Sequence, residues 1–256
     1  IIPFGVNLGD KFFYDGEISP EEIFEYADNN KTLPKTNAVN EESFKEHFAK
    51  ILNDYDAIIH FDISSEMSSA YQNAVNASKN FKNVYVVDSR TLSTAISLEA
   101  IYAKKLTETM DDPAKIVELV KKRIPAVQAS FIIERLDYLY KGGRCSGLAL
   151  LGANLLKIRP EIEVLNGNMK NTEKFRGKIA DCVTKYCRAT LEKYNHPDKS
   201  VIFITHSVAD KELVDAAKAV VSEYGFENVY ETTAGCTVSS HCGKNTLGIL
   251  YINDAE

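Results

Sequence analysis

With 256 residues, 26% of them charged and 45% hydrophobic, the chain is long enough to bury a sizeable core without metals or disulfides as staples. A formal net charge of -6 and a pI near 5.5 argue against a phosphate-backbone binder, so nucleic acid is not an expected partner. The 5 cysteines are an odd number and lack C-x-x-C spacing, which reads as thiols in a reducing cytosol, and no apolar run reaches the length of a membrane span or a secretory leader. A cytoplasmic protein is expected.

In chain order, Ile1 to Glu17 reads as extended, with a turn at Asp15-Gly16. Ser19-Pro20-Glu21-Glu22 offers a cap, a proline at the first helical position and a capping-box glutamate, predicting a helix to about Asp28. Residues 30 to 39 read as a loop, after which Asn40 caps a helix whose Phe44, Phe48, Ile51 and Leu52 share one face. Two short apolar runs, 57 to 61 and 84 to 87, flank a helical stretch over 66 to 79, the rhythm of a parallel, doubly wound sheet. Helices follow over 91 to 108 and, from Asp112-Pro113, over 113 to 123.

From Ala129 the pattern changes. A strand over 129 to 133 precedes a Gly-rich turn at Lys141-Gly142-Gly143-Arg144, then a helix over about 147 to 157 and a hairpin, 159 to 165 and 168 to 175, around Asn166-Gly167. Helix 177 to 194, strand 200 to 205, helix 209 to 224, strand 228 to 233 and a last strand 246 to 252 complete the chain. The expectation is α/β with two domains, 1–128 with a parallel doubly wound sheet and 129–256 with a mixed sheet, and a ligand in the crevice between them.

Three segments rich in hydroxyl and amide groups lie at strand ends or helix starts, where α/β sheets bind ligands. They are Pro34-Lys35-Thr36-Asn37, Ser64-Ser65-Glu66-Met67-Ser68-Ser69 and the loop Thr237-Val238-Ser239-Ser240-His241. Serine and threonine before a helix are ordinarily plain caps, so it is their co-occurrence with the Gly-Gly-Arg turn that points to a site. That turn reads either as an anion cradle or as a simple tight turn. Neither a G-x-x-x-x-G-K-[ST] nor a G-x-G-x-x-G segment is present, so no nucleotide has an evident seat. His206 and His241 can each face a crevice, His241 being the better candidate beside Ser239 and Ser240. A Ser68, His241, Asp88 triad can be drawn, but the nucleophile elbow is missing; Cys236, His241 and Cys242 match no common zinc spacing.

At these residues the chain resembles the DegV family of bacterial fatty-acid-binding proteins, over nearly its whole length. Leu136-Asp137-Tyr138-Leu139-Tyr140-Lys141-Gly142-Gly143-Arg144 is similar to the family's L-x-Y-L-x-K-G-G-R segment, Ser64 to Gln72 to S-S-x-x-S-G-T-Y-Q, and Val86-Val87-Asp88-Ser89 to V-[IV]-D-S. The resemblance implies one long-chain fatty acid between two α/β domains, its carboxylate held by hydroxyls and a histidine, and a separate ATP-binding kinase that phosphorylates that carboxylate. It implies no catalytic residue, metal or cofactor in this chain, and allows transient contact with a membrane surface. Carried over by position, Thr36 matches the first residue of the T-S-x-P-S loop, Ser68 the serine before G-T, Arg144 the K-G-G-R arginine, and His241 the late H-x-G histidine. With Asn37, Ser65 and Ser69 these are the head-group candidates, and Thr36, Ser68, Arg144 and His241 are expected to converge.

The departures are Asn37-Ala38-Val39-Asn40 for S-x-P-S, Ser69-Ala70 for G-T, and Lys244 where a proline often stands. The family's opening strand with its T-D-S motif has no counterpart, so the chain is expected to begin in the second strand. Aliphatic residues at 148–151 and 155–158 are candidates for the acyl tunnel, or simply a core helix. Two other readings stay open, a Ser/His hydrolase of a small ester or amide and a protein-interaction module with a vestigial pocket.

Overall fold

The computed structural model describes residues 1–145 and 158–255. The expected helix over 147 to 157, and with it nearly all of the tunnel candidates, lies outside them.

The chain opens as a small antiparallel sheet rather than a single extended segment. β1 (Gly5–Leu8) and β2 (Lys11–Tyr14) form a hairpin across Gly9-Asp10, where Gly9 takes a φ of 64°. β3 (Lys35–Asn37) adds to the other edge of β1, with Thr36 opposite Val6, so part of the expected 30-to-39 loop is a strand. Lys-Thr-Asn carries no apolar alternation, and only pairing with β1 makes it a strand. Between β2 and β3, α1 (Pro20–Asn30) starts on the capping box: Glu22 N–H donates to Ser19 Oγ at 3.2 Å and Ser19 N–H to Glu22 Oε2 at 2.7 Å. Its buried Ile23, Phe24 and Ala27 pack with Val6.

The parallel sheet is a two-stranded pair, β4 (Ile58–Asp62) with β5 (Val84–Asp88), wound on both faces. Alternation along the strands sends Ile58, Val84 and Val86 to one side, against Phe44 and Phe48 of α2 (Glu41–Ile51) and Ala70, Ala74 and Ala77 of α3 (Ala70–Ser78). Ile59, Phe61 and Val87 face the other side, where α4 (Thr94–Leu106) and α5 (Pro113–Arg123) supply Ala103, Ile116, Val117 and Val120. Asn40 and Asp112 cap α2 and α5 as their sequences indicate.

A short 3-10 turn, Ile124–Ala126, leads into a mixed six-stranded sheet. Its strands are β6 (Val127–Ile132), β7 (Ile158–Leu165), β8 (Asn168–Arg176), β9 (Ile202–Ser207), β10 (Val229–Thr233) and β11 (Thr246–Ile252), in the order β10-β9-β11-β6-β7-β8. Only β9 and β10 run parallel. The β7–β8 turn uses Asn166 and Gly167 at φ 52° and 82°, the pair of left-handed residues that a two-residue hairpin requires. α7 (Ile179–Lys193) and α8 (Lys211–Val221) cover one face through Val183, Tyr186, Leu191, Leu213 and Val214. On the other face, α4 packs Ala95 and Leu98 onto Ala129, Phe203 and Leu250, so this helix joins the six-stranded sheet to the parallel pair.

Two helices stand where no helix is expected from the sequence. α6 (Leu136–Lys141) runs directly into the Gly-Gly-Arg turn. α9 (Cys236–Cys242) replaces the expected loop around His241. Its Cys, Thr, Val and Ser are poor helix formers. It is capped instead from across the fold: Asp15 Oδ1 accepts from Cys236 N–H at 2.7 Å and Asp15 Oδ2 from Thr237 N–H at 2.8 Å.

Candidate functional site

One cavity of about 770 Å³ lies between the β3 edge, the loop after β4, α9 and the Gly-Gly-Arg turn, and all of the sequence candidates line it: Thr36, Asn37, Ser65, Ser68, Ser69, Arg144 and His241. They come from both ends of the sequence because β3 lies beside α9, which is held in place by the Asp15 cap. Phe4, Ile63, Met67, Leu92, Met169, Val238 and Cys242 are the apolar members of the same lining. Most of these also belong to a core cluster with Phe131, Ile133, Leu139 and Ile162.

The candidates differ in what they already bond. Thr36 Oγ1 and His241 Nε2 share a hydrogen bond of 2.8 Å across 205 residues of sequence. Arg144 Nη1 donates to the Gly142 carbonyl at 2.6 Å and its Nε to the Met67 carbonyl at 3.4 Å, which ties the guanidinium to the segment after β4. Ser68 Oγ accepts from Ala70 N–H at 3.2 Å, which leaves its own proton to donate. Ser69 is exposed at the start of α3 and makes no side-chain cap. Asn37 Nδ2 donates to Asn7 Oδ1, which binds it to the small sheet. Ser65 is the most committed, its hydroxyl donating to Asp88 Oδ2 at 2.6 Å and accepting from Arg90 Nη1 at 3.1 Å.

Electrostatically, the polar end is a neutral imidazole beside a fixed cation. Burial, followed by the nearby Arg144 charge, pushes His241 down to about 4. Glu99, on the inner side of α4, is driven the other way: burial and the Asp88 charge raise it to about 9, and neither carboxyl oxygen has a hydrogen-bond partner among the described residues. Sequence reasoning singled out neither this acid nor Arg90. The latter, at φ 53°, donates to Glu66 at 3.3 Å and to the Asn166 carbonyl, while Ser64 Oγ donates to the Gly167 carbonyl at 2.8 Å. Together these bonds tie the β7–β8 turn to the edge of the cavity. Thr237, named only within its hydroxyl-rich segment and not among the site candidates, lines the cavity one helical turn before His241, and its buried Oγ1 has no partner among the described residues.

The hydrolase constellation is not assembled, because His241 Nε2 bonds Thr36, Ser68 bonds Ala70, and Asp88 bonds Ser65 and Arg90. His206 sits on β9 with Glu231 at 3.3 Å, away from the lining of this cavity. Cys236 Sγ donates to the Ile18 carbonyl at 3.0 Å, in a different cluster from Cys242. Among the described residues, no three His, Cys, Asp or Glu side chains are grouped to hold a metal ion, and no helix is long and apolar enough to cross a membrane.

A profile for the family described as "Uncharacterised protein, DegV family" matches residues 1–254. A fatty acid-binding protein of Thermotoga maritima is 32% identical over 246 residues, covering 91% of this chain and 83% of that protein. The crystal structure of a DegV lipid-binding protein from the same organism superimposes at a TM-score of 0.84 with 27% identity, covering 100% of this chain and 91% of the other. The Streptococcus pneumoniae fatty acid kinase B3 protein, loaded with linoleic acid, shares the fold at a TM-score of 0.86 and 16% identity, covering 99% of this chain and 90% of that one.

Proposed function

The chain belongs to the DegV family, and from that premise we propose that it binds one long-chain fatty acid, with its carboxylate at the Thr36–His241 end of the cavity and its tail against the apolar wall. The observation that carries the proposal is that one 770 Å³ cavity is lined both by hydroxyl and guanidinium donors and by apolar side chains of the core. Each methylene withdrawn from water contributes about 0.8 kcal/mol, so a long tail supplies ample free energy. The head group opposes it, since a buried carboxylate costs several kcal/mol unless donors replace its water. Thr36, Ser68 and Arg144 are such donors, each hydrogen bond to a charged group returning about 1.5–3 kcal/mol.

In this reading the chain is a non-catalytic carrier without a cofactor, and it presents the carboxylate to a separate ATP-dependent kinase that forms the acyl phosphate. The partially exposed lining, with Ser69 and Arg144 open to solvent, leaves the oxygen reachable by a phosphoryl donor. The likeness in fold to the fatty acid kinase B3 protein of Streptococcus pneumoniae supports the kinase part. Two domains, 1–128 and 129–256, with the lipid between them, a cytoplasmic setting suited to the free thiols of Cys182, Cys187, Cys236 and Cys242, and passing contact with membrane surfaces during lipid exchange belong to the same proposal.

The test is displacement of a fluorescent fatty-acid analogue from the purified chain by unlabelled oleate, followed by incubation with ATP. We expect saturable binding at one site and no ATP turnover by the chain alone. Lack of saturable binding would remove the lipid assignment, and ATP hydrolysis by the pure chain would remove the carrier assignment.

A further inference from the structure

The two glycines of the Gly-Gly-Arg turn do different things. Gly143 has a φ of 71°, and a Cβ there would meet no atom of the described residues within 4 Å, so the glycine is needed for its backbone conformation. Gly142, at φ -68° and ψ -15°, lies in the right-handed helical region that any residue adopts. What excludes a side chain there is His241: a Cβ at 142 would collide with Nδ1 of the ring and lie 3.0 Å from the Tyr138 carbonyl oxygen. The Cα hydrogen that stands in that direction therefore points at Nδ1.

From this packing we infer that Gly142 is a positioning residue that holds His241 as the Nε2–H tautomer, so that Thr36 must offer its hydroxyl proton to the ligand. A hydrogen on Nδ1 would meet the Gly142 Cα hydrogen head-on, whereas a bare lone pair is accommodated. Nδ1 is buried and has no hydrogen-bond partner among the described residues, and an orphan acceptor is tolerated in protein interiors better than an orphan donor. The ring is neutral near pH 7, because burial and the Arg144 charge push it to about 4, so it carries one proton only. That proton is on Nε2 and is donated to Thr36 Oγ1 over 2.8 Å. With one lone pair of Oγ1 so engaged, the Thr36 O–H is turned toward the cavity as a donor. With Arg144 in the same lining and its charge near His241, the site is matched to an acceptor-only head group, a carboxylate, and mismatched to an amine. This consequence for the ligand rests on the fatty-acid reading; the tautomer does not.

Long-range proton–nitrogen correlation spectra of 15N-labelled protein near pH 7 read the tautomer directly. The expected signature for His241 is a pyrrole-type Nε2 and a pyridine-type Nδ1, together with an NOE between a Gly142 Cα hydrogen and the ring Hε1. A pyrrole-type Nδ1, a fast-exchanging mixture or the lack of that NOE would overturn the inference, whether or not any Gly142 variant folds. Gly142→Ala should lose the signature and bind oleate about tenfold more weakly; an unchanged spectrum with unchanged affinity would also overturn it. Thr36→Val should weaken oleate by about tenfold or more, the loss of one hydrogen bond to a charged group, while Thr36→Ser retains binding to within about threefold. Equal losses in both Thr36 variants would contradict the donor role. Should the parent chain show the Nε2–H signature but bind no oleate, the tautomer stands and the fatty-acid reading alone fails.

Discussion

Several polar residues lining the cavity already hold hydrogen-bond partners, whereas its apolar lining residues belong to the packed core. Thr36 bonds His241, Ser65 bonds Asp88 and Arg90, and Arg144 bonds two carbonyls, so this arrangement is held by the protein's own hydrogen bonds. Met67, Leu92, Val238 and Cys242 instead face the cavity while packing with Phe131, Ile133, Leu139 and Ile162. Change at the polar end should therefore register in affinity and protonation, and change on the apolar side in folding and affinity together.

The largest effect should come from putting a charge on the apolar side. Leu92 is 6% exposed, and Leu92→Asp buries a carboxylate without a partner, costing upwards of about 4 kcal/mol of stability and abolishing acyl binding. Urea unfolding of the variant checks it; a stable Leu92→Asp protein would mean that this wall is not part of the core.

At the polar end the next largest effect is a response to pH. The folded pKa of His241, about 4, lies below the ordinary 6.5, so between these values the unfolded chain binds more protons than the folded one. The His241 contribution is complete above 6.5 and is lost as pH falls toward 4, a change on the order of 3 kcal/mol. Denaturation midpoints compared at about pH 7 and pH 4.5 should fall less in His241→Gln than in the parent. An identical pH slope in the two proteins would contradict the assignment.

Ser68→Ala should then weaken fatty-acid binding by about 1–3 kcal/mol, with little change in unfolding, because the hydroxyl serves the cavity more than the fold. Loss of stability without loss of affinity would reverse that ranking. The smallest effect concerns the device that brings the two ends of the sequence together. Asp15→Ala removes the cap of α9 and should cost about 1 kcal/mol of stability by thermal unfolding, with a modest loss of affinity through misplacement of His241.

The same contrast explains what the sequence made legible. Local signals carried the Ser19 capping box, the Asn40 and Asp112 caps, the Asn166-Gly167 hairpin and the strand Thr246–Ile252, since each is decided by neighbours a few residues away. β3 and α9 were not legible because β1 pairing makes the first and the Asp15 carboxylate caps the second, from 221 residues away. The polar lining was legible as short hydroxyl-rich segments and a Gly-Gly-Arg turn. Its apolar complement was not, because Met67, Leu92, Met169 and Val238 come from separate segments and have the pattern of ordinary core residues. Thr237 stood inside a recognised segment, but only a helix through 236–242 shows that it shares a face with His241.

The measurement that bears most directly on the central claim is native mass spectrometry of the purified chain before and after denaturing lipid extraction and refeeding with oleate. The account expects a mass increment of one long-chain fatty acid per chain, lost on extraction and restored by oleate in the parent but not in Leu92→Asp. A parent chain that carries no lipid and takes up none when refed would contradict it.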